Sequence, residues 1–163
     1  MFTFFLHQKV PKGCEDYIEL NQASRNYLSG GGSACDKDSN SQITGASDQW
    51  HRFVPPAGVQ MLDSPIPNKN TYSGCGTDEP GFLESNGHPN EVGKVVSRLA
   101  WFGYWDKIQT SPGQYQKIPA KGSSTNIQVA MCNDGSSNDD SSNYFVYQLP
   151  KPKSCDQRYC GED

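Results

Sequence analysis

Asn126-Ile-Gln-Val-Ala-Met-Cys132, Asn133-Asp-Gly-Ser-Ser-Asn-Asp-Asp-Ser-Ser-Asn143, Tyr144-Phe-Val-Tyr-Gln-Leu149 and Cys155-Asp-Gln-Arg-Tyr-Cys160 carry most of what this chain says about its architecture. In the first and third pieces apolar and polar residues alternate, the period of a half-buried strand. The tract between them, Asn133–Asn143, is acidic and low in complexity, so it reads as a loop. Three of the six cysteines crowd into this last quarter as Cys132, Cys155 and Cys160. The other three, Cys14, Cys35 and Cys75, stand far upstream.

An even cysteine count in a polar, loop-rich chain reads as three disulfides, of which six cysteines allow fifteen connectivities. Disulfides persist in oxidising compartments, so the protein is expected to be secreted or extracellular. The 163 residues suit one domain. Only 34% are apolar, with 16 Gly and 11 Pro, and the mean hydropathy is -0.75. That balance favours short strands joined by turns over long amphipathic helices, so the fold class is all-β with little helix. Net charge is -4, and the densest basic group is Lys151-Pro152-Lys153. Nucleic acid is therefore not an expected partner, because phosphate neutralisation needs a positive stripe. No apolar run approaches the length of a membrane span.

Working upstream, Lys94–Ala100 reads as a strand leading into Trp101-Phe102-Gly103-Tyr104-Trp105. Trp50–Val54 and Gly58–Leu62 read as two strands joined by a tight turn at Pro55-Pro56. Ser29–Ser47 and Gln109–Ser124 read as polar loops, and Asp63–Asn90, broken by Pro and Gly, as mostly irregular. A helix is read near Glu15–Leu28, and Phe2–Leu6 as an edge strand. The organisation expected is an arm or edge strand over 1–13, a domain over 14–160 and a tail over 161–163.

The motifs together resemble the cysteine-rich domain of uromodulin and related secreted glycoproteins. The resemblance runs in order from Cys14 and Tyr17-Ile-Glu-Leu20 through Cys35-Asp36, Trp50-x-Arg52-Phe53 and Gly58-Val-x-Met61. It continues through Cys75-x-Thr77-x-x-Pro80-x-Phe82-Leu83, Gly87-His88-Pro89 and Val95-Val96-Ser97-Arg98. It ends in Ile127-x-Val129-x-x-Cys132, Tyr144–Leu149 and Pro152-x-x-Cys155-x-x-x-Tyr159-Cys160. The resemblance implies the pairs Cys14–Cys132, Cys35–Cys155 and Cys75–Cys160. Members usually carry eight or ten cysteines. This chain has Asp63-Ser64 and Trp101 at two of the missing positions, and the cysteine-free Asp106–Ser124 where a Cys-Cys pair is usual. Aromatic packing that replaces the lost bridges and a binding surface built in their place are both compatible with that exchange.

No nucleophile-elbow, phosphate-loop or zincin pattern is present, and the chain does not read as an enzyme. Glu79 and Glu84 flank Pro80-Gly81, weak grounds for glycoside chemistry. Ser97 could pair with a histidine only by chance of folding, and His51 and His88 read as structural. The cysteine spacing does not complete a zinc site. Calcium is the one ion for which loops of suitable oxygens exist, at Asp36–Asn40 and Asp134–Asp140. Turn-forming hydrogen bonds at the first and a solvated loop at the second are the favoured readings over a metal.

Trp101, Phe102, Tyr104 and Trp105 cannot all face one side of a strand. Outward rings offer flat apolar surfaces with a polar handle, suited to sugars, a hydrophobic ligand or a protein. With Asn133, Asp134, Asn138 and Asp139 as hydroxyl-binding groups, they make up the expected ligand site. No Asn-x-Ser/Thr sequon occurs, so the N-glycan display associated with uromodulin-like modules has no acceptor here. Three roles follow: recognition of a glycan or glycoprotein, a structural homo-oligomer contact, or carriage of a hydrophobic small molecule or pigment.

Overall fold

The computed structural model describes residues 10–163 except 40, 65–73, 85 and 137–139; for 104–108 and 115–121 it describes backbone alone. The expected edge strand at Phe2–Leu6 lies outside the described residues. The chain enters through one helical turn, α1 (Lys12–Glu15), and then builds nine strands among the described residues. These are β1 (Ile18–Leu20), β2 (Trp50–Phe53), β3 (Gln60–Met61), β4 (Glu79–Leu83), β5 (Val95–Ser111), β6 (Gln114–Asn133), β7 (Asn143–Gln148), β8 (Gln157–Tyr159) and β9 (Gly161–Glu162). Seven form one sheet in the order β1-β2-β7-β6-β5-β4-β8, and β3 pairs with β9 beside it. The fold is all-β, as its composition and strand patterning predict.

Alternation along the strands gives the sheet its inner face. Ala100 and Phe102 on β5, Ile127 and Val129 on β6, and Tyr147 on β7 point to one side. They pack with Leu20, Ile43, Phe53, Met61, Leu83 and Tyr159 as the main core. Ring contacts knit it, Phe102 to Tyr159 at 5.0 Å and Phe53 to Tyr147 at 5.7 Å between centroids. Such pairs add about 0.5–1.5 kcal/mol beyond area burial. Gly161 is required where β9 crosses this core, because a Cβ there would meet the Ala57 carbonyl oxygen and the Phe53 ring.

Several local expectations are corrected. Glu15–Leu28 is not a helix: the alternating Ile18-Glu-Leu20 pairs in parallel with β2, and a 3₁₀ turn at Ala23–Arg25 carries Arg25 into the interior. β2 and β3 do not pair with each other; the chain turns through a cis Pro55-Pro56 peptide and β3 joins β9. Asp63–Asn90 contains β4, whose Pro80-Gly81 lies in mid-strand with β5 on one side and β8 on the other. The polar segment Gln109–Ser124 is hairpin instead of loop. Pro112 and Gly113 turn the chain, with Gly113 at φ 79 and Ser111 across from Gln114. Proline presets the first central residue of such a turn, and glycine supplies the positive φ of the second. Within the expected tail 161–163, Gly161–Glu162 pairs with Gln60–Met61.

Three disulfides brace the sheet: Cys14–Cys132, Cys35–Cys155 and Cys75–Cys160, with Cα separations of 5.5, 4.7 and 5.7 Å. These are the partners implied by the family resemblance. Each spans 85 residues or more, so each removes roughly 4–5 kcal/mol of unfolded-chain freedom in the entropic model.

Candidate functional site

The outer face of the sheet divides into three bands. At one side Phe82 and Trp101, directly across from each other on β4 and β5, pack with Leu62, Tyr27 and the Cys75–Cys160 bridge. At the other, Trp50, Ala130, Cys132 and Val146 are covered by Cys14, Tyr17 and Tyr144. There the Arg52 guanidinium carbon stands 3.8 Å above the Tyr144 ring and its Nη1 donates to the Tyr17 hydroxyl at 3.0 Å. Between these covered bands runs a polar strip.

Strand register creates the strip. Ser97 on β5 lies opposite Gln128 on β6, and Gln128 lies opposite Gln148 on β7. Two residues further along β5, Leu99 faces Asn126. Two adjoining hollows follow the strip. One, of about 370 Å³, is lined by Glu84, Asn86, Ser97, Arg98, Leu99 and Asn126. The other, of about 320 Å³, shares Ser97 and Asn126 and extends past Gln128 and Gln148 to Ser47 and Pro150. Ser97, Asn126 and Gln128 are exposed, and among the described residues no protein group hydrogen-bonds their side chains. Arg98 is held by donating from Nε to the Gly87 carbonyl and from Nη1 to the Ser97 carbonyl, each at 3.0 Å.

The residues expected to bind a ligand are not gathered in one place. Phe102 is corrected to a core residue, 2% exposed, so it cannot stack on a ligand. Trp101 is half-buried in its cluster. These two therefore close both faces of the sheet and do not line a cleft for a pigment. Tyr104 and Trp105 lie on β5 opposite Ala120 and Pro119. Asn133 and Asp134 are exposed at the far end of β6 but turn their side chains on their own loop. The Asn133 amide donates to Ser142 Oγ and Asn143 Oδ1, both at 2.8 Å, and Asp134 Oδ1 accepts from Ser136 N at 2.8 Å. The bonds from Ser136 lower the Asp134 pKa below the usual carboxylate value. Asn138 and Asp139 lie outside the described residues.

Of the calcium candidates, Asp36 is removed by its own partners. It is 1% exposed, takes two hydrogen bonds from Arg25 and accepts from Tyr159 N at 2.9 Å and Ser41 Oγ at 3.1 Å. Its oxygens are thus filled by protein donors. Asp38 approaches Cys35 and Cys155, but both sulfurs are spent in a disulfide and are not thiolate ligands.

Of the described histidines, His51 is buried and His88 half-buried, both against Tyr147. His88 Nε2 meets the Tyr147 hydroxyl at 2.8 Å, and His51 lies across from Tyr147 in the β2–β7 ladder. Burial lowers both to a pKa of about 4. They occupy the inner side of the sheet while Ser97 is on the outer, so neither can serve it as a base. Glu79 accepts from Gln157 Nε2 at 2.8 Å, and Glu84 lies at the other end of β4 in the hollow. Among the described residues no helix is long and apolar enough to cross a membrane.

The strip is not legible in the linear sequence, although each of its residues is visible there as the polar member of an alternating strand. What the linear pattern lacks is register, which alone sets Ser97, Gln128 and Gln148 side by side.

Comparison with known proteins agrees with this architecture. The uromodulin-like domain family matches residues 51–161, from β2 to β9. The chain is also similar to the pancreatic secretory granule membrane major glycoprotein GP2 of Canis lupus familiaris, 28% identical over 154 residues. That match takes in 90% of this chain and 23% of the relative, so the chain spans about a quarter of that protein's length. With six cysteines in three long-range bridges, the chain belongs to the uromodulin-like domain family, whose modules are extracellular, secreted or held at a membrane surface.

Proposed function

We propose that this domain is a non-catalytic, extracellular recognition module of lectin-like or adhesive type, binding a glycan or glycoprotein. The observation that carries this reading is the open polar strip across β5, β6 and β7, a shallow trough flanked by two covered apolar bands. Recognition sites place a few convergent polar groups in a concave, pre-formed surface. A sheet cross-linked by three disulfides holds such groups in fixed register. Expected contacts are hydrogen bonds from strip side chains to ligand hydroxyls, with Trp101 and Leu99 as apolar neighbours. A glycan array screened with the whole chain tests the reading: specific hits support it, and signal at background, with and without added calcium, overturns it.

A second reading, a structural module that assembles with its own copies, is favoured by the β5–β6 hairpin. β4 pairs with β5 only through Ala100–Phe102, and β7 with β6 only from Gln128 onward. Among the described residues the ribbon from Gly103 to Lys121 therefore has two unpaired edges, which are templates for strand addition. Sedimentation velocity would then show concentration-dependent assembly weakened by Trp105→Ala, whereas a monomer at every concentration removes this reading.

A further inference from the structure

The chemistry of the trough selects a class of ligand, an inference that rests on the recognition reading above. We infer that the Ser97–Asn126–Gln128–Gln148 strip binds a neutral oligosaccharide, in preference to a sialylated or sulfated one. The strip offers amide and hydroxyl groups, each of which both donates and accepts. A sugar hydroxyl does the same, so the two surfaces match without any change of protonation. Gln148 lines the hollow and is steadied by donating from Nε2 to the Ser47 carbonyl. Asn126 and Gln128 keep both halves of their amides available among the described residues.

Charge decides between neutral and anionic sugars. Glu84 and Arg98 are the charged residues of the two hollows, and they cancel. Arg98 is half-buried and spends its Nε and one Nη1 donor on the Gly87 and Ser97 carbonyls, whereas Glu84 is exposed. An anionic sugar therefore gains no net attraction from the pair and meets the more exposed carboxylate, a disadvantage that a neutral hexose escapes. The strip crosses three strands in one rung, so the ligand it fits is a short unbranched segment laid across the strand direction.

The test uses the full oxidised chain on matched neutral, sialylated and sulfated glycans, with Asn126→Ala, Gln128→Ala and Glu84→Gln variants. Neutral glycans should bind best, and each alanine variant should weaken them about tenfold, the loss of one or two hydrogen bonds. Glu84→Gln should narrow the gap between neutral and anionic ligands. All three positions are exposed, so thermal melts of the variants should match the parent. Binding that survives both alanine changes, or that favours anionic glycans, overturns this site while leaving the recognition reading in place. A complete absence of glycan binding overturns both. Self-association abolished by Gln128→Ala would assign the strip to a second copy of the chain and likewise overturn the proposal.

Discussion

Arg25 grips Asp36 through two hydrogen bonds, Nη1 to Oδ2 at 2.9 Å and Nη2 to Oδ1 at 2.6 Å, with both side chains 1% exposed. The pair is the electrostatic centre of the three-disulfide scaffold. Arg25 also donates to the Tyr159 carbonyl, and Asp36 accepts the Tyr159 N–H, so β8 is clamped one residue before Cys160. Asp36 itself follows Cys35, bonded to Cys155. Arg158 lies alongside, its Nε 3.9 Å from Asp36, with Nη1 bonded to the Cys75 carbonyl and Ser24. Burial, and next the neighbouring Arg25, lower the Arg158 pKa to about 10, which leaves it protonated at neutral pH.

Breaking this pair from one side is expected to be costly. Arg25→Ala strands a buried carboxylate, and such a loss typically costs about 3–5 kcal/mol. Asp36→Asn should cost less, since the amide keeps one acceptor for the guanidinium. Urea unfolding of the oxidised protein measures both. Loss of less than about 1 kcal/mol in Arg25→Ala would show that the clamp does not hold the strand.

Stability should fall on acidification through the histidine range. His51 and His88 have folded pKa values of about 4, lowered chiefly by burial, against an unfolded value of about 6.5. Between those limits the unfolded chain binds protons that the folded chain refuses, so stability is lost as pH falls from about 6.5 toward about 4 and from these groups is flat above about 7. Each site contributes on the order of 3 kcal/mol across the full window. The Tyr147 hydroxyl accepts from Met61 N at 2.9 Å and meets His88 Nε2 at 2.8 Å, so His88 is held in this buried contact. Denaturation midpoints across the range from neutral to mildly acid pH test the slope, and His88→Gln should reduce it.

The bridges should reduce in a fixed order set by exposure. Cys155 is exposed and Cys35 half-buried, whereas Cys75 and Cys160 are fully buried and Cys132 is 1% exposed. Thiol attack requires access to a sulfur. Brief treatment with a mild reductant followed by alkylation and mass mapping should label Cys35 and Cys155 first. First labelling at Cys75 and Cys160 would contradict the placement of the C-terminal strand.

Aromatic and strip substitutions should separate stability from recognition. Phe102→Ala empties a core position and is expected to cost about 3–5 kcal/mol. Gln128→Ala, on the exposed face, should stay within about 0.5 kcal/mol of the parent. Thermal melts of the two variants distinguish them; equal stability would place Phe102 outside the core.

Much of the fold is legible in the sequence because alternation in Trp50–Phe53, Val95–Ala100, Asn126–Met131 and Asn143–Gln148 encodes both strand and face. The bridge partners are legible only through the order of motifs around the cysteines. The length of β5 and β6 is not, because the polar segment Gln109–Ser124 shows no sustained apolar alternation. Its one signal is Pro112-Gly113. Arg25 is hidden for a different reason. A buried charge in a polar segment looks like a solvated one until its partner is placed beside it. A surface reading of Phe102 fails because adjacent strand residues point to opposite faces: Phe102 turns inward onto Tyr159, while Trp101 turns outward and is half-buried. The polar strip needs a three-strand register that no single segment contains.

If the trough across β5, β6 and β7 is where this domain meets its ligand, its own amides must report the encounter. Titrating isotope-labelled protein with a neutral oligosaccharide, while following side-chain amide resonances by heteronuclear NMR, addresses this directly. The Asn126, Gln128 and Gln148 amides should shift first and saturate together. Shifts confined to the Gly103–Lys121 ribbon, or to the Asn133–Asn143 loop, would contradict it.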